Sequence, residues 1–173
     1  GRKQPAEKYP GTFFYRPVYN KRMRIQEHIV RGFLTGNKDA FHALYTVTRK
    51  PLYALICRMN GNRHDAEDLL HDVYVRMYEK RETFDSKRSA LYTWMYRITV
   101  NYTLNSLRDK KRWSQDTVIE DIAPDIVAEY ATADERALVQ RVLEKMNPDF
   151  RVCLVLAEVE QKAYADIAEM LGL

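Results

Sequence analysis

Residues 63–80, RHDAEDLLHDVYVRMYEK, are the segment that most constrains how this chain can fold. Its apolar residues recur at i, i+3, i+4 and i+7, a spacing that predicts an amphipathic helix, and they are Ala66, Leu69, Leu70, Val73, Tyr74, Met77 and Tyr78. A neighbouring stripe holds Asp65, Asp68, Asp72, Arg76 and Glu79. Acids near a helix start are favoured by its dipole, but Asp72 lies farther in, where Asp68 repels it by roughly 0.2–0.5 kcal/mol. Two interpretations stay open: a solvated acidic face, or a docking face for a basic partner.

Many segments share this helical period, and the chain has only six glycines, so we predict an all-α protein. Residues 1–24 and residues 87–112 each hold seven Lys/Arg and one acid, whereas residues 114–150 hold nine acids and three bases. This segregation indicates a nucleic-acid face and a separate acidic segment. Cys57 and Cys153 are isolated and match neither a zinc spacing nor a disulfide framework. Neither a membrane span nor a secretory signal is predicted, so we expect a cytoplasmic protein without membrane insertion.

A second long helix is predicted at residues 90–112, after a polar loop, with Ser89 as its N-cap. One face of this helix carries side chains suited to base edges and phosphates, namely Arg97, Asn101, Asn105, Arg108 and Arg112. Aromatic residues at its start, Tyr92, Trp94 and Tyr96, either stack on unpaired bases, worth roughly 1–3 kcal/mol per base, or belong to the core.

The remaining helices are predicted from caps and breakers. We expect one at residues 25–35, one at residues 40–50 capped by Asp39, and a fresh helix opened by Pro51. Asn60-Gly61-Asn62 should end it. Further helices are expected at residues 133–146, at residues 149–159 after Asn147-Pro148, and at residues 164–171.

Several separated segments resemble, in order, the extracytoplasmic-function (ECF) group of bacterial sigma-70 factors. DAEDLLHDVYVRMYEK resembles the polymerase-docking helix; FHALYTVTRKPLYALICRMNGNRHDAEDLL precedes it, FDSKRSALYTWMYRITVNYTLNSLRDKKR follows, and NPDFRVCLVLAEVEQKAYADIAEMLGL is last. The resemblance implies two small helical domains on a flexible linker. These are a region-two domain at residues 25–113, an acidic linker at 114–132, and a region-four helix-turn-helix domain at 133–173. Residues 1–24 are a basic extension outside the family pattern, either a disordered leader or a strap over nucleic acid or polymerase.

The resemblance also implies the function. The chain would be a transcription initiation factor that binds core RNA polymerase, recognises the promoter minus-ten element and promotes DNA opening. It would have no enzymatic activity, cofactor or metal of its own. Residues 133–173 would sit on the flap of the second-largest polymerase subunit, and an anti-sigma factor is a further implied partner. The chain stops before the recognition helix that enters the major groove, so we expect no normal helix-turn-helix contact with an upstream promoter element.

The resemblance assigns two sets of contact residues. The set expected on the coiled coil of the largest polymerase subunit is Asp65, Asp68, Leu69, Asp72, Arg76 and Met77, with Leu69 and Met77 mainly in support. The set expected on promoter DNA is Asp85, Ser86, Lys87, Arg88, Tyr92, Trp94, Arg97, Asn101, Asn105, Arg108, Lys111 and Arg112. In this family the loop captures a flipped base of the non-template strand.

Two other classes of protein remain as alternatives. A helical DNA-binding regulator that does not act through polymerase would explain the basic stripe, but not the acidic helix. A metalloenzyme would use ligands on one helix face, from His64, Asp68, His71 and Asp72. No second helix supplies a matching carboxylate–histidine pair, which argues against the metalloenzyme.

Overall fold

The structure, a computed structural model, describes residues 23–61, 63–113, 142–143 and 145–172; for residue 63 and residues 111–113 it describes the backbone alone. The expected linker lies outside these ranges, as do most of the N-terminal extension and of the helix expected at residues 133–146. All regular structure in the described ranges is helical, which confirms the all-α prediction. The helices are α1 Glu27–Leu34, α2 Lys38–Asn60, α3 Arg63–Glu79, α4 Leu91–Trp113, α5 Pro148–Leu154 and α6 Tyr164–Leu171.

Helix α2 differs from the prediction in two ways. It is one continuous helix with Pro51 inside it, and its N-cap is Asn37, whose side chain accepts a 2.9 Å hydrogen bond from the amide of Ala40. The expected break at Pro51 and the expected cap at Asp39 were therefore both wrong. Proline inside a helix costs about 3 kcal/mol. The helix continues because its buried stripe runs unbroken across the proline, through Leu44, Thr48, Leu52 and Leu55.

The two helices that carry the predicted contact residues begin and end within one residue of their predicted bounds. Helix α3 starts just after Gly61, whose left-handed backbone (φ 84°) ends α2 as expected from the Asn-Gly pair. Helix α4 starts one residue late, since the carbonyl of Ala90 accepts its first helical bond from the amide of Trp94. Ala90 therefore occupies the N-cap position, and the predicted cap at Ser89 was wrong.

Helices α1 to α4 form one small bundle around a common apolar core. The buried stripe of α3 packs against both α2 and α4, as its periodicity predicted. Phe33 of α1 closes the same cluster and contacts the edge of the Trp94 ring. The fully or almost fully buried members from α3 are Ala66, Leu69, Leu70, Val73, Tyr74 and Met77. This packing turns the polar stripe of α3 outward.

The C-terminal helices confirm most of their prediction. Asn147 caps α5 by accepting a 3.0 Å hydrogen bond from the amide of Asp149, and Pro148 occupies the first turn. The last five residues of the helix predicted at 149–159 form a π-helical turn, Val155–Val159, in place of continued α-helix. Helix α6 has the predicted bounds and ends at Gly172 in the left-handed conformation (φ 69°).

A second apolar cluster joins these C-terminal helices to the bundle. It buries side chains of α2 and α4 against side chains of α5, α6 and the π-helical turn. The members are Leu55, Met59, Tyr96, Val100, Leu104, Leu107, Val152, Val155, Leu156, Ile167 and Met170. The C-terminal helices therefore pack directly on the bundle, although they follow it across residues 114–141.

Candidate functional site

The acidic stripe of α3 is exposed beside the buried stripe that anchors the helix. Of the six predicted docking residues, Asp68, Asp72 and Arg76 are exposed and Asp65 is half-buried. Leu69 and Met77 lie in the core, at 6% and 0% exposure. They can support the surface but do not form it in this conformation.

Helix α4 borders this stripe and contacts two of its acids. The Nζ of Lys110 lies 2.5 Å from Oδ2 of Asp65, and the hydroxyl of Tyr102 donates to Oδ2 of Asp72 over 3.2 Å. Burial raises the pKa of Tyr102, and the charge of Asp72 adds to the rise. The hydroxyl of Tyr102 therefore keeps its proton and donates a hydrogen bond to the side chain of Asp72. Asp68 lies between these two acids along the helix.

A groove between α3 and α2 lies beside the acidic stripe, whose last member, Glu79, is one of its lining residues. This groove encloses about 980 Å³ and is lined by aromatic rings, among them Phe41, Tyr45, Tyr74 and Tyr78. Glu67 lines this groove, whereas its neighbour Asp68 does not. The two adjacent acids thus lie on different faces of α3.

The loop before α4 is held in shape by Asp85. Its carboxylate accepts from the amide of Lys87 (2.9 Å), and its carbonyl accepts from the amides of Arg88 and Ser89 (3.1 and 3.3 Å). The side chains of Asp85, Ser86, Lys87 and Arg88 are all exposed. Asp85 therefore orders the backbone of a loop whose charged side chains remain accessible.

The aromatic residues at the start of α4 separate into two environments. Tyr92 is 4% exposed and Tyr96 is 2% exposed, so both belong to the core. Trp94 is half-buried and lies edge-on to Phe33 and Phe84, with centroids 6.4 and 5.8 Å away. Stacking on a base by Tyr92 would require it to leave the core, so its assignment to DNA stays a prediction.

The polar stripe of α4 follows one face of the helix, as predicted, but two of its arginines, Arg97 and Arg108, are already paired. Asn101 and Asn105 are exposed. An Nη of Arg97 lies 2.7 Å from Oε1 of Glu169 in α6. Arg108 binds Asp149 of α5 through Nε at 3.0 Å and also through Nη. Lys111 and Arg112 fall in the last turn of α4, and their side chains are outside the described residues.

No sequence pattern indicated these pairs, because the partners of the two arginines lie far along the chain. Arg97 and Glu169 are 72 residues apart, and Arg108 and Asp149 are 41 apart. The acidic block at residues 114–150 contains Asp149 but not Glu169, so the charge distribution did not indicate these pairs either.

The ligand set of the metalloenzyme alternative does not assemble. In the described ranges, which include His64 and His71, no three His, Cys, Asp or Glu side chains come together as metal ligands would. None of the helices in these ranges has the length and apolar character needed to cross a bilayer.

Comparison with known proteins identifies the class of this chain. The model of sigma-70 region 2 matches residues 44–113, which hold α3, the loop and α4. The chain is 31% identical over 147 residues to the ECF RNA polymerase sigma factor SigE of Mycolicibacterium smegmatis, covering 80% of this chain and 56% of that protein. It is 27% identical over 151 residues to the ECF RNA polymerase sigma factor SigW of Bacillus subtilis, covering 80% of each.

A solved structure shares the fold. It is that of CnrH in complex with the cytosolic domain of CnrY, with a TM-score of 0.55, 21% identity, and coverage of 84% of this chain and 82% of that chain. The helical bundle and the sequence matches together define a protein of the sigma-70 family, a transcription initiation factor. Within that family, the chain belongs to the ECF group of RNA polymerase sigma factors.

Proposed function

We propose that this sigma factor docks on core RNA polymerase through the exposed acidic stripe of α3. The observation that carries the proposal is that α3 buries its apolar stripe and turns Asp68, Asp72 and Arg76 outward, within the stretch that matches region 2. Because the apolar stripe of α3 is buried in the core and the polar stripe is exposed, the polar stripe is the one that a partner can contact. The basic partner would be the coiled coil of the largest polymerase subunit.

The second part of the proposal concerns promoter DNA. The ordered loop at residues 85–89 and the exposed Asn101 and Asn105 would contact the minus-ten element. Asparagine side chains can bond base edges, and each good bidentate contact is worth about 1–3 kcal/mol of discrimination. The loop would receive a base extruded from the non-template strand, so that binding offsets part of the cost of unpairing. Arg97 and Arg108 would contact phosphates.

The remaining partners follow from the same family. Residues 133–173 would sit on the flap of the second-largest subunit, and an anti-sigma factor would hold the protein inactive. The structure of CnrH, which shares the fold, is of its complex with the cytosolic domain of CnrY, and this supports a protein partner of that kind. We place the protein in the bacterial cytoplasm, where core polymerase acts. Phosphoryl-transfer chemistry would belong to the polymerase, and the sigma factor would contribute binding and DNA opening alone.

The DNA part is tested by Asn101→Ala in the reconstituted holoenzyme. We expect the substitution to weaken formation of the open complex on genomic promoter fragments by about 1–3 kcal/mol, while affinity for core polymerase stays unchanged. Open-complex formation is measured by the permanganate reactivity of unpaired thymines. Ser106→Ala, on the same helix but off the stripe, is the matched control. Equal losses of opening and of polymerase affinity would show that α4 does not carry the proposed DNA contact.

A further inference from the structure

The C-terminal helices cover the arginines to which we assigned phosphate contacts. Glu169 of α6 pairs with Arg97, and Asp149 of α5 pairs with Arg108. Both arginines belong to the stripe of α4 that contains Asn101, and Asn101 stays exposed. The acids thus engage Arg97 and Arg108 of the stripe and leave its amide members, Asn101 and Asn105, accessible.

These pairs sit at the edge of a well-buried contact. Beneath them, Leu104 of α4 and Leu156 of the π-helical turn are 2% and 0% exposed within the second apolar cluster. Arg58 of α2 and Glu160 also meet inside it, with 2.6 Å between Nη and Oε1 and 1% exposure of each side chain. Apolar burial of this extent is the dominant favourable term in such contacts, so it fixes the position of the two surface acids.

A guanidinium group offers the same N–H donors to a carboxylate and to a phosphate. A phosphate oxygen cannot occupy the position at Arg97 that Oε1 of Glu169 fills, and the same holds for Asp149 at Arg108. We propose that α5 and α6 autoinhibit the free protein, with Glu169 and Asp149 standing in for DNA phosphates on α4. This proposal rests on the proposed function, since it regulates the same DNA surface. Promoter contact through the arginines then requires α5 and α6 to leave α4.

The proposal predicts that removing the two carboxylates strengthens DNA binding by the free chain. The variant is Asp149→Asn with Glu169→Gln, and the probe is a fluorescein-labelled pool of random single-stranded DNA about 20 nucleotides long. The control is Asp166→Asn with Glu158→Gln, which makes the same change of net charge at exposed acids of the same C-terminal segment. We expect the first variant to bind at least about threefold more tightly than the control. Equal affinities of the two variants would overturn the proposal.

A further pair of substitutions separates failure of this proposal from failure of the proposed function. Arg97→Gln and Arg108→Gln are added to the Asp149→Asn, Glu169→Gln variant. If the gain comes from the two arginines of α4, their loss removes most of it. A gain that survives the loss of both arginines shows that the DNA binds elsewhere, which contradicts the proposed DNA surface. Absence of a gain, with Asn101→Ala still impairing promoter opening by the holoenzyme, overturns the autoinhibition alone.

Amide hydrogen exchange gives an independent readout on the unaltered chain. If DNA and the C-terminal helices compete for α4, saturating DNA must loosen those helices by reciprocal coupling. We expect exchange in α5 and α6 to accelerate when the DNA pool is added, while exchange in α3 does not. Unchanged protection of α5 and α6 at saturating DNA would show that both can occupy α4 together, and the proposal would fail.

Discussion

At the scale of single residues, the core of the bundle contains a buried hydrogen bond between the hydroxyls of Thr48 and Tyr74, and the donor in this bond can be assigned. The hydroxyl of Thr48, on α2, donates to the carbonyl of Leu44 at 2.7 Å and lies 2.6 Å from the hydroxyl of Tyr74, on α3. Since Thr48 has one hydroxyl proton, Tyr74 is the donor in the second bond. Burial raises the pKa of Tyr74 well above its ordinary value, which keeps that donor protonated.

Thr48→Val should therefore destabilise the fold by about 1–3 kcal/mol, because it leaves the buried hydroxyl of Tyr74 without this acceptor. Thr46→Val is the matched control: Thr46 makes a similar bond to the carbonyl of His42, but it is exposed, and its loss should change stability by less than about 0.5 kcal/mol. Chemical denaturation of both variants measures the difference. Similar values for the two would mean that the Thr48–Tyr74 bond is not important for stability.

At the scale of helices, the sequence predicted which segments are helical, but it did not predict that α2 continues through Pro51. The bounds of α3 and α4 follow from periodicity together with the Asn-Gly breaker and the polar loop that flank them, and the capping pair Asn147-Pro148 locates the start of α5. Pro51 misled the prediction because its local effect opposes the helix, while the residues that outweigh it are tertiary neighbours. No local rule counts the packing of Leu52 and Leu55 on two other helices.

Pro51→Ala should accordingly stabilise the protein. It restores a backbone donor to the carbonyl of Val47 and removes a helix-interior proline, which should raise the free energy of unfolding by up to about 3 kcal/mol. About 0.4–1 kcal/mol of this gain is lost, because the unfolded chain without proline has more conformational entropy. We expect a net gain of about 1–2 kcal/mol in the free energy of unfolding. Pro148→Ala is the contrasting control, since Pro148 is buried at a first-turn position that suits proline, and it should not stabilise. A loss of stability in Pro51→Ala would show that the proline ring itself is needed in α2.

At the scale of the whole molecule, periodicity predicted which face of each helix is polar, but not which helices contact each other. The acidic stripe of α3 and the polar stripe of α4 were both predicted, and the structure adds that Lys110 and Tyr102 of α4 bind acids of α3. Contacts of α4 with the C-terminal helices were not predictable, because they join residues that lie 41 and 72 positions apart in the sequence. A sequence shows which face a helix buries, but not which distant helix covers it.

The buried ion pair of Arg58 and Glu160 joins the bundle to the C-terminal segment, and its loss should destabilise the protein more than the loss of an exposed ion pair. Glu160→Gln leaves the guanidinium group of Arg58 buried without its counter-charge and should destabilise the protein by about 3–5 kcal/mol. Glu79→Gln, in the exposed pair with Arg76, should change stability by less than about 0.5 kcal/mol. Thermal and denaturant unfolding of both variants give these values. A small effect of Glu160→Gln would indicate that water reaches Arg58 in solution.

The central claim, docking on polymerase through α3, is tested most directly by the affinity of the chain for bacterial core RNA polymerase. Asp68→Lys reverses an exposed charge within the stripe, and Glu67→Lys makes the same change one residue away, on the groove side of the helix. We predict tight binding by the wild type and by Glu67→Lys, and binding weaker by about tenfold or more, or about 1.4 kcal/mol, for Asp68→Lys. Equal affinities of the two variants, or no binding by the wild type, would contradict the account.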